Sequence, residues 1–310
     1  MGIDRNRFFE QARLMLQALP FVFEEEIFAL KGGSAINFFF RDMPRLSVDI
    51  DLTYLPLEPR ERSLRNIEKS LKRIAQRIGA NLSGVSIQEG KIKDPYMTNK
   101  IFVGIAGMQI KIEPNLVIRG TAFPAEEHIL NTKAQEAFEL FIEARTVSFA
   151  DAFGGKICAA LDRQHPRDLY DIKFLLDKEG ITEKVRKGFL VYLISHDRPL
   201  HESLNPVMKE FEGLYEREFK GMTREDVSYE ELVNVRHALV AVIHQTLTDV
   251  EKDFLMSFKG GEPDWGLLGV EGVQDLPAVR WKLSNIQKME ETKRRDFMIK
   301  LRNVLKGNYK

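Results

Sequence analysis

Between Leu30 and Leu52 the chain reads LKGGSAINFFFRDMPRLSVDIDL, a Gly-Gly-Ser turn running into a short apolar helix, then Asp-Ile-Asp in a strand sixteen residues after Gly33. A strand sends alternate side chains to one face, so Asp49 and Asp51 project side by side with Cα atoms roughly 6.5 Å apart. Asp is depleted in strands and like charges repel, so two of them flanking one isoleucine point to a bound cation. The bland alternative is a solvated pair, or ion pairs with Arg41 and Arg45. Gly32 and Gly33 let the backbone turn tightly, and Ser34 stands where a helix begins with its N–H groups unpaired, a terminus that attracts anions. Ser34 also suits a helix N-cap. A cation pair beside an anion seat is the chemistry of magnesium-bound phosphates, with paired ions about 3.5–4 Å apart in phosphoryl transfer.

The flanking pattern predicts the frame that holds this stretch. A first helix capped by Asp4 carries Phe8, Ala12, Met15 and Leu19 on one face and is expected to stop at Pro20. Residues 27–31 read as a buried strand feeding the glycine turn. Leu57, Leu64, Ile67, Leu71, Ile74 and Ile78 fall at helical spacing, predicting a long helix ended by Gly79. Residues 83–91 and 100–114 read as strands, the second a hairpin turning near Gly107. Its alternation sets Glu113 with Gln109 and Lys111 on the polar face, a third acid that could bind metal or accept a hydroxyl proton, or else form an edge-strand surface pair with Lys111. From about Ser148 helical patterns dominate. The pattern predicts an α+β chain, with strands and helices over 1–150 and then a mainly helical domain over 151–310.

A second motif opens that helical half, FGGKICAALDRQHPRDLYDIKFLL over 153–176. Lys156 and Arg163 lie two turns apart on one helix face. Pro166 favours the first turn of the next helix, with Asp168 near its start and Asp171 one turn later. Asp168 could simply stabilise that N-terminus. Asp171 sits among Leu169, Ile172, Leu175 and Leu176, where a carboxylate needs a cation such as Lys156 or Arg163. Lys156 is the candidate phosphate ligand, weighed against an ordinary surface lysine. Cys158 reads as a small core residue, and neither His128 nor His165 has ligand-spaced companions, though His165 could contact RNA.

Composition narrows the surroundings. Lys+Arg and Asp+Glu are equal at 46 each, so net charge names no polyanionic partner. The distribution is uneven, with ten basic residues against three acidic from Arg280 to Lys310 and seven against three from Glu58 to Arg77. Such stripes are the footprint expected of RNA binding, or a solvated helix face. The single cysteine excludes an internal disulfide and fits a reducing, cytoplasmic setting. The N-terminal stretch lacks the apolar core of a signal peptide, and no apolar run reaches the length of a membrane span.

The Leu30–Leu52 run resembles the nucleotidyltransferase-like toxins of the AbiEii/AbiGii group of abortive-infection and toxin–antitoxin systems. The matching elements are Gly32-Gly33-Ser34, Arg45-Leu46-Ser47 with Asp49-Ile50-Asp51, and Lys156, Arg163 and Arg167-Asp168-Leu169-Tyr170-Asp171. The likeness extends to SFKGGEPDW (257–265) and LPAVRWKLSNI (276–286). Ser34 stands where Thr is frequent, which keeps the hydroxyl. The resemblance implies a DNA-polymerase-β-like nucleotidyltransferase fold, a mixed sheet flanked by helices, followed by a helical domain that completes the active site and binds RNA. It implies transfer of NMP from an NTP, with Mg2+, to an RNA 3′ hydroxyl, that of tRNA, and a cognate antitoxin. On this reading Asp49, Asp51 and Glu113 hold the ions, Gly32, Gly33, Ser34, Arg163, Arg167 and Asp168 bind the nucleotide, and Lys156 with Asp171 positions it. The rival readings are transfer onto a small-molecule or protein hydroxyl, and a non-catalytic NTP- or RNA-binding module.

Overall fold

The computed structural model describes residues 5–93 and 96–307. Two compact units divide the chain: one runs to Ala152 and takes in Phe219–Asp226, the other comprises Phe153–Glu218 and the chain from Val227 onward. Among the described residues no helix is long and apolar enough to cross a membrane.

The first unit is built on a mixed seven-stranded sheet. Its strands are β1 (Phe28–Lys31), β2 (Ile50–Tyr54), β3 (Ser86–Lys93), β4 (Tyr96–Ile105), β5 (Met108–Pro114), β6 (Glu126–Ile129) and β7 (Glu143–Thr146), in the order β3-β4-β5-β2-β1-β7-β6. β2 runs antiparallel to β1 and parallel to β5. Leu30, Ile50, Leu52, Ile101, Val103, Ile110 and Ile112 are essentially fully buried in the core, each contributing about 1.5–3 kcal/mol of burial. Helices α1 (Arg5–Phe23) and α3 (Arg60–Asn81) pack on the sheet and on each other. The alternation that buries those residues turns Lys31, Asp51 and Glu113 to the opposite face.

Three expectations need correcting. Helix α1 passes through Pro20 and ends at Phe23, since Leu19 and Val22 on either side are fully buried and their packing outweighs the lost hydrogen bond; Asp4 lies outside the described residues. Helix α3 likewise continues past Gly79 to Asn81. At Gly79 a Cβ would stand 3.3 Å from Ile87 Cδ1, so the glycine seats the helix against β3 instead of ending it. Strand β5 is interior, between β4 and β2, so Glu113 is not an edge residue.

Between β1 and β2 come α2 (Gly32–Ala35) and a π-helical stretch, Ile36–Phe40. Asn131, which caps α4 (Thr132–Phe138), anchors that stretch by reaching the carbonyls of Phe38 (2.8 Å) and Arg41 (2.7 Å).

The second unit is helical. Helix α5 (Phe149–Asp162) leads into it, followed by α6 (Pro166–Lys178), α7 (Glu183–Ser195) and the helices Tyr229–Thr246, Asp249–Gly260, Pro277–Gln287 and Glu291–Leu305. Capping boxes start two of them, Ser228 with Glu231 and Thr248 with Glu251. Gly154 and Gly155 are packing glycines: a Cβ on Gly154 would meet the Gly188 carbonyl carbon and the Phe189 nitrogen at 2.6 Å, and one on Gly155 the Tyr192 ring at 3.2 Å. Helices α5 and α7 therefore cross backbone to backbone. Gly154→Ala should destabilise the protein by about 1–3 kcal/mol through overpacking, measurable as a lower urea midpoint at unchanged slope.

Candidate active site

On the face of the sheet opposite the α1–α3 core the glycine turn and the acids meet. Asp51 in β2 is the register partner of Lys31 in β1 and of Glu113 in β5. Asp49 lies one residue before β2, and both aspartates are half-buried. Gly32 adopts φ +70°, and a Cβ there would stand 3.0 Å from Asp51 Oδ2, so the carboxylate lies directly against the turn. Gly32→Ala should cost about 1–2 kcal/mol for the left-handed backbone and crowd Asp51, read as lower thermal stability together with weaker nucleotide binding.

Ser34 is buried and is not the helix cap; Lys31 holds that position without a side-chain cap bond. The Ser34 hydroxyl donates to the Asp49 carbonyl (2.5 Å) and lies 3.0 Å from Ser47 Oγ. It thereby ties the glycine turn to the backbone that carries the acids. Arg45 completes this tie: its Nη1 donates to the Leu46 carbonyl, and its Nη2 occupies the space a Cβ on Gly33 would enter, 2.7 Å away. The Arg-Leu-Ser motif thus builds the floor of the turn. Phe219–Asp226 supports it from outside, pairing Thr223 with Arg45 and donating the Arg224 amide to Pro44. A cavity of about 580 Å³ beside this strap is lined by Phe9, Met43, Arg45, Leu46 and Met222 among others and shares Arg45 with the turn. The acids do not line it.

Glu113 sits beside Asp51, but its carboxylate accepts from Lys100 Nζ (2.9 Å) and Lys111 Nζ (2.7 Å). Burial alone would raise its pKa; the bonds from Lys111 and Lys100 outweigh this and hold it below its ordinary value. Glu113 is therefore a firmly ionised partner of two lysines, a poor proton acceptor in this state. Among the described residues no three His, Cys, Asp or Glu side chains converge as a metal cage. Sequence reading offered Lys111 as a partner of Glu113 but missed Lys100. The alternation of β5 does place Lys111 on the face of Glu113, whereas Lys100 needs the β4–β5 register, which a sequence does not print.

In the second unit the other motif forms a buried charge cluster. Lys156, 5% exposed, donates to Asp168 Oδ1 and contacts Asp171 Oδ2, each at 2.9 Å. It is not a surface lysine. Arg163 joins Asp168 through Nε (2.5 Å) and Nη2 (2.9 Å) while remaining 62% exposed. Burial pushes the Asp168 carboxyl up, but the charges of Lys156 and Arg163 and their hydrogen bonds hold it well below the usual carboxylate range. His165 caps α6, its Nδ1 accepting from the Arg167 amide, and its Nε2 lies 3.2 Å from Glu218, which Arg167 also approaches at 3.8 Å. Cys158 is buried and its thiol pKa is pushed up by that burial, as a core residue's would be.

The basic stripes are partly neutralised. On α3, Arg73 and Arg77 pair with Glu25, Arg77 also with Glu24, and Lys72 with Glu68. In the C-terminal stripe Lys282 is buried and donates to the carbonyls of His196, Asp197 and Arg198 at the end of α7. Burial and the nearby Lys259 push its pKa down to about 8. Lys293 and Lys300 flank Phe297 on the last helix.

Comparison with known proteins bears on these motifs. A family model described as nucleotidyl transferase AbiEii toxin, type IV toxin–antitoxin system, matches residues 13–285. Among solved structures the chain is similar to MenT4, a nucleotidyltransferase toxin from Mycobacterium tuberculosis H37Rv, with TM-score 0.58 and 15% identity over 98% of this chain and 92% of that one. That likeness is one of fold. No curated protein matches the chain by sequence.

Proposed function

The chain belongs to the AbiEii family of nucleotidyl transferase toxins of type IV toxin–antitoxin systems, and from that premise we propose that it transfers NMP from an NTP to an RNA 3′ hydroxyl, that of a transfer RNA, with magnesium, blocking translation. The family carries with it the enzyme class, an NTP as substrate and an antitoxin as partner. One observation carries the residue-level reading: the Asp51 carboxylate lies against Gly32, so a carboxylate and the phosphate seat share one face of one sheet.

Asp49 and Asp51 offer the hard oxygen donors that magnesium prefers, and they are the residues we propose to hold it. When bound, magnesium neutralises charge on the phosphate oxygens in transfer. The main-chain amides of Gly32, Gly33 and Ser34 bind the triphosphate, since the Ser34 hydroxyl is already committed to the Asp49 carbonyl. Glu113 acts through Lys100 and Lys111. In the helical unit Lys156 with Asp171 positions the nucleotide, Asp168 fixes Lys156 and Arg163, and Arg163 and Arg167 present positive charge to phosphate. Because α3 spends much of its charge internally, RNA binding falls mainly to the Glu291–Leu305 helix.

The proposal is tested by incubating purified protein with total RNA, magnesium and each α-labelled NTP in turn, with Asp49→Ala as control. One NTP labelling a tRNA-sized band, and no label in the control, is the expected result. Label on protein or on small molecules would move the acceptor to those classes, and no label with any NTP would overturn the reaction.

A further inference from the structure

We propose that Lys100 and Lys111 take the place of a second divalent ion at Glu113, so that this chain carries out transfer with a single ion held by Asp49 and Asp51. The proposal rests on the reading of those two aspartates as ion ligands given above.

Both oxygens of Glu113 are occupied, Oε1 by Lys100 at 2.9 Å and Oε2 by Lys111 at 2.7 Å, with all three side chains about two-thirds buried. Glu113 is in register with Asp51 on the adjacent strand, so an ion shared by Asp51 and Glu113 would have to displace an ammonium group from a Glu113 oxygen. The lysines are held there by design of the sheet. Lys111 precedes Glu113 by two residues on β5 and so shares its face. Lys100 comes from β4, one residue beyond the Ile101–Ile112 pair, and its stem crosses Gly90 of β3. A Cβ on Gly90 would stand 2.5 Å from Lys100 Cγ, 3.1 Å from Cδ and 3.2 Å from Cε. The absent side chain, beside a bulge between Gly90 and Lys91, gives the lysine its path to Glu113.

Charge accounting agrees. Three carboxylates with two divalent ions carry one net positive charge; the same three carboxylates with two ammonium groups and one divalent ion carry the same. The Lys111 ammonium is held on Glu113 Oε2 at 2.7 Å and that of Lys100 on Oε1 at 2.9 Å. Glu113 is then a positioning residue, holding the lysines beside the acids.

The test counts ions rather than turnover. The full-length chain, complexed with a non-hydrolysable NTP analogue, is titrated with Mn2+ and bound metal is measured by electron paramagnetic resonance. One Mn2+ per complex is expected, lost in Asp49→Ala/Asp51→Ala. Lys100→Met/Lys111→Met, which keeps the stems, frees Glu113 and is expected to bind two, and adding Glu113→Gln should return the count to one. Gly90→Ala, displacing the Lys100 stem, should shift the count in the same direction as Lys100→Met. Two ions on the unaltered chain would overturn the proposal while leaving the aspartate ligands intact, and so would a double-lysine variant that folds and still binds one. One ion persisting without Asp49 and Asp51 would overturn the aspartate reading itself.

Discussion

Asp51→Asn is expected to reduce nucleotide transfer by about 10³-fold or more, since an ion that stabilises the transfer is worth several kcal/mol and each 1.36 kcal/mol is a factor of ten. The fold should survive the change. Asparagine keeps the shape that fits against Gly32, where a Cβ position lies 3.0 Å from the carboxylate oxygen, and it relieves repulsion from Asp49. Thermal melting of the variant should therefore match or exceed that of the parent chain while label incorporation falls. Transfer at the parental rate by a folded variant would remove Asp51 from the chemistry.

The largest effect on stability is expected at Asp168. Removing one partner from a buried ion pair costs about 3–5 kcal/mol, because the remaining charge is left uncompensated. Asp168→Ala leaves Lys156, 5% exposed, with Asp171 as its remaining acid in the cluster, and removes the two bonds Arg163 makes to Asp168. The pH dependence has a definite sign. The folded pKa of Asp168 is depressed below its unfolded value of about 3.9, so its contribution is complete above that pH and declines as pH falls towards the folded pKa. The stability gap between parent and Asp168→Ala, measured by urea unfolding, should be full at pH 7 and narrower at pH 3. A gap that is small at pH 7 or widens in acid would contradict this account of the cluster.

Particular residues explain what was legible in the sequence. The acids and the glycine turn were readable because strand alternation and glycine chemistry are local rules, and the spacing between Gly33 and Asp49 leaves room for one short helix. The strands and the helical second half followed from hydrophobic periodicity, the mixed sheet from the family resemblance. Pro20 and Gly79 misled for one reason: breaker residues are read locally, whereas Val22 and Ile87 hold those helices through tertiary contacts. The sites of Arg45 and Lys100 could not be read. Arg45 lies under Gly33 through a loop path, and Lys100 meets Glu113 through strand register and an absent side chain on a third strand. Such placements depend on pairings that only the folded chain specifies. The basic stripe of α3 shows the converse, since its cations were visible while Glu24 and Glu25, which neutralise Arg73 and Arg77, lay far away in sequence.

The most direct test of the central claim follows the two ends of one nucleotide. The purified chain is given RNA, magnesium and the preferred NTP labelled either at the α or at the γ phosphate, and products are separated. Nucleotidyl transfer predicts α label in the RNA and γ label released as pyrophosphate, in equal amounts and both lost in Asp51→Asn. Label from the γ position appearing in the RNA, or pyrophosphate released with no α label in any acceptor, would contradict it.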